Sequence, residues 1–135
     1  MDVVFALDSS AELSTSDYDK QKNFVLTMIN AFTISDTKTH VSVITVGETA
    51  RKDFELREHT RPGVLKARVA GLPAKIDSPS DPTSRFTDML RRASEVFRNG
   101  GRARVSTCAL IKFRIKTSFK LLKGKVKVKC VLCVY

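Results

Sequence analysis

Residues 2–10 of the chain read DVVFALDSS, and this stretch decides how the rest of the sequence is interpreted. Five consecutive apolar residues precede Asp8, which predicts a strand buried on both faces, as in a parallel sheet. A polar loop follows, and Ser16 is a suitable N-cap for a helix with Asp17 in its first turn. The chain therefore opens with a buried strand, a polar loop and an amphipathic helix.

The segments beyond this opening continue the alternation. The sequence predicts a second strand over 40–47 and a third over 53–56, where apolar and acidic residues alternate. A short helix is predicted that Thr60 and Pro62 can start and Gly71 can stop. A loop is predicted over 73–82 and an amphipathic helix over 86–97. This order predicts an α/β fold: a doubly wound, Rossmann-like, mostly parallel sheet with helices on both faces.

Charge is distributed unevenly along the 135 residues. The net charge of +10 by itself suggests a nucleic-acid or acidic-membrane partner. Residues 1–100, however, carry 14 Lys or Arg and 14 Asp or Glu, whereas residues 101–135 carry 10 basic residues and no acid. The excess therefore belongs to one end of the chain, and a nucleic-acid partner is not predicted for the body. No apolar run is long enough to span a bilayer.

The sequence contains no pattern that predicts export or catalysis. The apolar run after Met1 is too short for a signal peptide, so none is predicted in this chain. The three cysteines include the pair Cys130 and Cys133, which alone is weak evidence for zinc or redox chemistry. His40 and His59 have no evident nucleophile nearby and are expected to face solvent, so the chain is not predicted to be an enzyme.

The chemistry-bearing residues cluster where the first strand ends. Ligands of open α/β sheets bind beyond the carboxyl ends of strands, and Asp8 and Ser10 occupy such an end. Thr83, between a loop and a helix, is predicted to face the same crevice. One carboxylate with hydroxyls, and no Cys or His, suits a hard cation such as Mg²⁺ or Mn²⁺. A plain N-cap loop without a metal explains the same residues.

Five stretches resemble the von Willebrand factor type A family, which includes integrin I domains and the modules of matrilins and collagen VI. The stretches are 2–10, 16–25, 40–44 followed by 54–56, 83–90 and 97–102. The resemblance covers roughly residues 2–105. It implies a doubly wound α/β fold, an extracellular location and a role in protein–protein adhesion. In many members a metal-ion-dependent adhesion site binds the partner, whose carboxylate completes the coordination of the metal.

The family's metal motif is Asp-x-Ser-x-Ser, then a Thr, then an Asp. Asp8, Ser10 and Thr83 match it, whereas Glu12 stands where the motif has its second Ser. The last Asp is missing, since no acid follows Glu95. The resemblance therefore implies Asp8, Ser10, Glu12 and Thr83 as ligands of a weakened Mg²⁺ or Mn²⁺ site, where a Glu12 carboxylate would compete with the partner's acid. The implied partner is an extracellular matrix or cell-surface protein such as a collagen-like ligand.

The basic end departs from the family. We expect residues 1–111 to form a C-terminally incomplete type A domain, and 112–135 to be a basic tail or strand of uncertain origin. Lys and Val alternate over 125–129, which is typical of an edge strand. The segment could instead come from alternative splicing or a frameshift, or be an arm that binds nucleic acid or anionic surfaces. A metal-independent type A scaffold is the remaining alternative function.

Overall fold

A computed structural model describes residues 1–73, 82–103, 107–114 and 127–134, so most of the loop predicted over 73–82 lies outside the described residues. Within these ranges eight elements follow one another along the chain: β1 (Asp2–Asp8), α1 (Thr15–Ala31), β2 (His40–Val46), β3 (Ala50–Phe54), α2 (Pro62–Ala70), α3 (Pro82–Gly100), β4 (Thr107–Arg114) and β5 (Lys127–Val134).

The five described strands form one sheet in the order β3-β2-β1-β4-β5. The central strand β1 is parallel to both β2 and β4, whereas the outer strands β3 and β5 run antiparallel to their neighbours. The parallel register pairs Asp8 with Val46, so β1 and β2 end at the same edge. The predicted α/β fold is confirmed, and the sheet is mixed because its outer pairs are antiparallel.

Alternate residues of β1 enter two separate cores, since successive side chains of a strand point to opposite faces. Val3, Phe5 and Leu7 pack on one face with buried residues of α1 and α2. Val4 and Ala6 pack on the other face with buried residues of α3. All seven residues of β1 are buried, which confirms the prediction from its apolar run. Helices therefore cover both faces of the sheet.

Several element boundaries differ from the predicted ones. Helix α1 begins at Thr15, because Ser14 rather than Ser16 is its N-cap and accepts a hydrogen bond from the Asp17 amide at 3.1 Å. Strand β3 lies over 50–54 rather than 53–56, because the turn after β2 is short and pairing resumes at once. Helix α3 likewise begins before the predicted position. The hydrophobic pattern identified the elements, and hydrogen bonding set their ends.

The strands of the basic end pair with each other. Strands β4 and β5 are antiparallel and lie at one side of the sheet, and β5 overlaps the edge strand predicted over 125–129. Strand β4 continues through residue 111, so the expected boundary between 1–111 and 112–135 falls inside a strand and stays a prediction. Among the residues that the structure describes, no helix combines the length and apolar character needed to cross a membrane.

The prediction that His40 faces solvent is wrong. Only 2% of its surface is exposed, because the first residue of β2 lies beside the start of β1. Its Nε2 lies 3.0 Å from the carbonyl oxygen of Asp36, and its Nδ1 lies 3.6 Å from Oδ1 of Asp2. His59 is half-buried. The burial of His40 could not be foreseen from its neighbours in the sequence, since Asp2 belongs to another strand.

Candidate functional site

The loop after β1 lies at the carboxyl edge of the sheet, where the sequence places the candidate ligands. Asp8, Ser9 and Ser10 are nearly inaccessible to solvent, although all three are polar. The Ser9 amide donates a hydrogen bond of 2.8 Å to the Val46 carbonyl and so extends the pairing of β1 with β2. The start of this loop is therefore part of the sheet edge rather than a solvated connection.

Gln21 of α1 holds the end of β1 in place. Its Oε1 accepts a hydrogen bond of 2.9 Å from the Asp8 amide, and its Nε2 donates one of 2.8 Å to the Asp8 carbonyl. The Gln21 residue itself is buried. The side-chain amide therefore satisfies a backbone donor and a backbone acceptor that would be costly to bury alone.

The Asp8 carboxylate is directed by its own loop. Its Oδ1 accepts a hydrogen bond of 2.9 Å from the Ser10 amide. Its Oδ2 is buried and has no hydrogen-bond partner among the described residues. A buried carboxylate in this position needs a compensating positive charge, because removing a carboxylate from water is costly unless it is paired.

Arg85 of α3 supplies that charge. Its Nη1 lies 3.7 Å from Oδ1 of Asp8, and each of the two side chains is only 2% exposed. Arg85 is also among the largest fully buried side chains of the described residues. A guanidinium stays protonated in proteins, so the site contains a fixed cation next to its carboxylate.

The structure brings together two of the four predicted metal ligands. Asp8 and Ser10 share one buried loop, whereas Glu12 is exposed. Thr83 lies in the first turn of α3, and its side chain is not among those that the structure describes. The prediction of all four as ligands therefore stays a prediction.

The described surroundings of Asp8 include a positive charge but no cluster of acids. Within the described parts of the chain, no group of three or more His, Cys, Asp or Glu side chains could hold a metal ion. The nearest described cation to the Asp8 carboxylate is already the Arg85 guanidinium at 3.7 Å, and a dication on the same carboxylate would be repelled by it. With its described neighbours as they stand, Asp8 is the ion-pair partner of Arg85, and its role as a metal ligand stays a prediction.

Sequence reasoning gave Arg85 and Gln21 no role in the site. A signal for Arg85 was present, because Met89, Ala93 and Val96 follow it at helical spacing and all three are buried. An arginine on the apolar face of a helix is seldom buried without a charged partner. No comparable signal marks Gln21, since a buried glutamine on a helix can be recognised only once the strand it meets is known.

The fold and site together define an α/β domain whose first strand ends in a buried Asp-x-Ser loop. Residues 2–111 match the family model of the von Willebrand factor type A domain, and the chain therefore belongs to this family.

Relatives and solved structures agree with that assignment. The chain is 32% identical over 68 residues to mouse Matrilin-2 and 33% identical over 70 residues to mouse Matrilin-3. These matches cover about half of the chain but only 7% and 15% of the two relatives. A solved structure of proximal thread matrix protein 1 from the mussel byssus, with a zinc-occupied MIDAS motif, aligns over 82% of the chain and 28% of the mussel protein, with a TM-score of 0.67 and 23% identity. At that identity the likeness shows the fold alone.

Proposed function

We propose that the chain is the interaction module of an extracellular matrix or cell-surface protein. Membership of the type A family supports this proposal, as do the matrilins and the matrix protein of the mussel byssus among the similar proteins. We place the partner surface at the carboxyl edge of the sheet, in the loop that follows β1, and propose a collagen-like matrix protein as the partner. The proposed role is binding rather than catalysis.

The metal-independent mode of binding has the better support. The observation that carries it is the buried ion pair between Arg85 and Asp8, because Arg85 compensates the Asp8 carboxylate without a metal. Binding would then depend on the shape and polar groups of the loop surface. Glu12 is exposed on that surface and is available to a partner.

The metal-dependent mode is the second candidate. Asp8, Ser10 and Thr83, with Glu12 in the place of the motif Ser, are the residues that would hold Mg²⁺ or Mn²⁺, and the ion would offer the partner's acid a coordination position. The buried Oδ2 of Asp8, without a hydrogen-bond partner among the described residues, is the observation that favours this mode. It requires Arg85 to leave its position beside Asp8.

Binding to immobilised triple-helical collagen, measured by surface plasmon resonance with and without EDTA, tests the proposal. We expect binding that EDTA leaves unchanged. Glu12→Arg should weaken binding by about tenfold, because it reverses an exposed charge on the proposed surface. Asp36→Arg is the matched control: Asp36 is exposed just before β2, at the opposite edge of the sheet, and its reversal should leave the affinity unchanged.

The outcomes separate the hypotheses. Loss of binding in EDTA would establish the metal-dependent mode. Equal effects of the two reversals would exclude the carboxyl edge as the partner surface, and a complete lack of binding would contradict the collagen-like ligand. The basic arm remains an alternative from the sequence, and binding to DNA that falls steeply with salt would reveal it.

A further inference from the structure

Arg85 is a permanent cation that the fold has buried at the edge of the sheet. It is 2% exposed and lies near the start of α3, on the helix face that Met89, Ala93 and Val96 bury. A guanidinium carries large desolvation costs and is buried only where a negative charge compensates it. The negative charge that the structure records in contact with it is the Asp8 carboxylate, 3.7 Å away and equally buried.

Among the residues that the structure describes, the Asp8 carboxylate already has a cation beside it. The Arg85 guanidinium lies 3.7 Å from the Asp8 carboxylate, so a dication at Asp8 would meet that positive charge in a buried position. The amide of Ser10 already donates to the same oxygen of Asp8 at 2.9 Å. Glu12, the other acid of the loop, is exposed and does not add a buried negative charge.

We propose that Arg85 is a built-in cation that takes the place a divalent metal would otherwise hold beside Asp8, so that the folded chain does not respond to Mg²⁺ or Mn²⁺. For partner binding, this proposal rests on the metal-independent mode described above. The effect of Mg²⁺ or Mn²⁺ on the isolated chain can be tested without any partner. A single substitution of Arg85 is therefore expected to turn this edge of the sheet into a cation-binding site.

The test is thermal unfolding of the full chain with millimolar Mg²⁺, Mn²⁺ or EDTA, together with Mn²⁺ binding followed by electron paramagnetic resonance. The wild type is expected to show the same Tm in all three solutions. Arg85→Gln leaves Asp8 without its charge partner, so its Tm should fall in EDTA and recover in Mn²⁺, with Mn²⁺ binding at least about tenfold tighter than that of the wild type.

Three further variants test whether the positive charge of Arg85 is responsible for the effect. Arg98→Gln removes an exposed charge from the same helix and should change neither Tm nor Mn²⁺ binding. Arg85→Lys keeps the positive charge and should remain insensitive to the metal. The double variant Asp8→Asn with Arg85→Gln contains neither charge, so it should unfold at a higher temperature than Arg85→Gln in EDTA and should not respond to Mn²⁺.

Two results would overturn the proposal. One is a wild type whose Tm rises with Mn²⁺ as much as that of Arg85→Gln, and the other is a folded Arg85→Gln variant that binds Mn²⁺ no better than the wild type. Where Arg85→Gln does not fold, Mn²⁺ binding by the wild type overturns the proposal, and its absence together with a folded, metal-insensitive double variant supports it. Failure of collagen binding would contradict the proposed function but would not change these readouts.

Discussion

At the scale of single residues, the polar groups at the end of β1 are buried and therefore depend on particular partners. The Asp8 carboxylate lies beside the Arg85 guanidinium. The backbone amide of Asp8 donates a hydrogen bond to Gln21, and its carbonyl accepts one from the same side chain. Each of these interactions replaces contacts with water that folding has removed. Substitutions here are thus expected to cost more than substitutions of exposed polar residues, because they leave a buried group unsatisfied.

Gln21→Ala is the clearest case. It leaves the buried amide and carbonyl of Asp8 without partners, and we expect the free energy of unfolding to fall by about 2–3 kcal/mol. Urea denaturation measures this change. The control is Asn23→Ala, two residues away and exposed on the same helix, for which a change of no more than about 0.5 kcal/mol is expected. Equal costs for the two variants would show that Gln21 does not support the site.

At the scale of elements, Asp88 connects α3 to the β2–β3 hairpin. Its carboxylate accepts a hydrogen bond from the Ala50 amide, the first residue of β3, and is paired with Arg91 on its own helix. The backbone hydrogen bond from Ala50 is the main reason that the pKa of Asp88 lies below its ordinary value of 3.8, and the Arg91 interaction lowers it further. Helix and hairpin are therefore connected through a charged group.

The lowered pKa gives Asp88 a predicted pH dependence. Because the folded-state pKa is depressed, the stability that Asp88 contributes is present above its ordinary pKa and is lost as the pH falls through the folded-state value. Asp88→Asn should lower the free energy of unfolding by about 1 kcal/mol near neutral pH. The difference from the wild type should shrink as the pH falls below about 4, toward the lowered folded-state pKa.

Chemical denaturation across that pH range measures the effect. The matched control is Glu95→Gln on the same helix, since Glu95 pairs with Arg91 and Arg92 on the surface. Exposed ion pairs of this kind contribute about 0.5 kcal/mol or less. A difference between wild type and Asp88→Asn that stays constant down to low pH would contradict the assigned role of the carboxylate.

At the scale of the whole molecule, Arg102 joins regions that are far apart in the sequence. Its guanidinium donates to the carboxylate of Asp2 at 2.7 and 3.0 Å and to the carbonyl oxygens of Met1, Thr37 and Lys38. Its backbone amide donates to the same carboxylate at 2.8 Å. Asp2 is fully buried. These bonds hold together the start of β1, the loop before β2 and the segment after α3, at the edge opposite the candidate site.

Removing this connection should destabilise the entire domain. Arg102→Ala removes the guanidinium from the buried Asp2 carboxylate and leaves the backbone hydrogen bond of residue 102 in place, and we expect a loss of about 3–5 kcal/mol in the free energy of unfolding. Arg102→Lys should recover only a minor part, since an ammonium group does not reproduce the planar fork of a guanidinium. Arg98→Ala, an exposed arginine near the end of α3, provides the control. Full recovery by lysine would contradict the dependence on guanidinium geometry.

The sequence by itself determined the order of elements and the family. The apolar run of β1 and the helical spacing in α1 and α3 are local patterns, and local patterns can be read without knowing what packs against them. The short helix α2, between Pro62 and Gly71, was predicted for the same reason. The Asp8-x-Ser10 loop was placed correctly at the carboxyl edge, because a strand's end follows from its apolar run.

The tertiary structure alone decided what that loop can do. Arg85 meets Asp8 across 77 positions of the chain, Arg102 meets Asp2 across 100, and no local pattern reveals either meeting. The burial of His40 likewise depends on its position beside the start of β1. The charge state of a site depends on every group within a few ångströms, whatever its distance along the chain. The sequence could therefore identify a carboxylate fit for a metal, but only the folded chain shows that an arginine is already beside it.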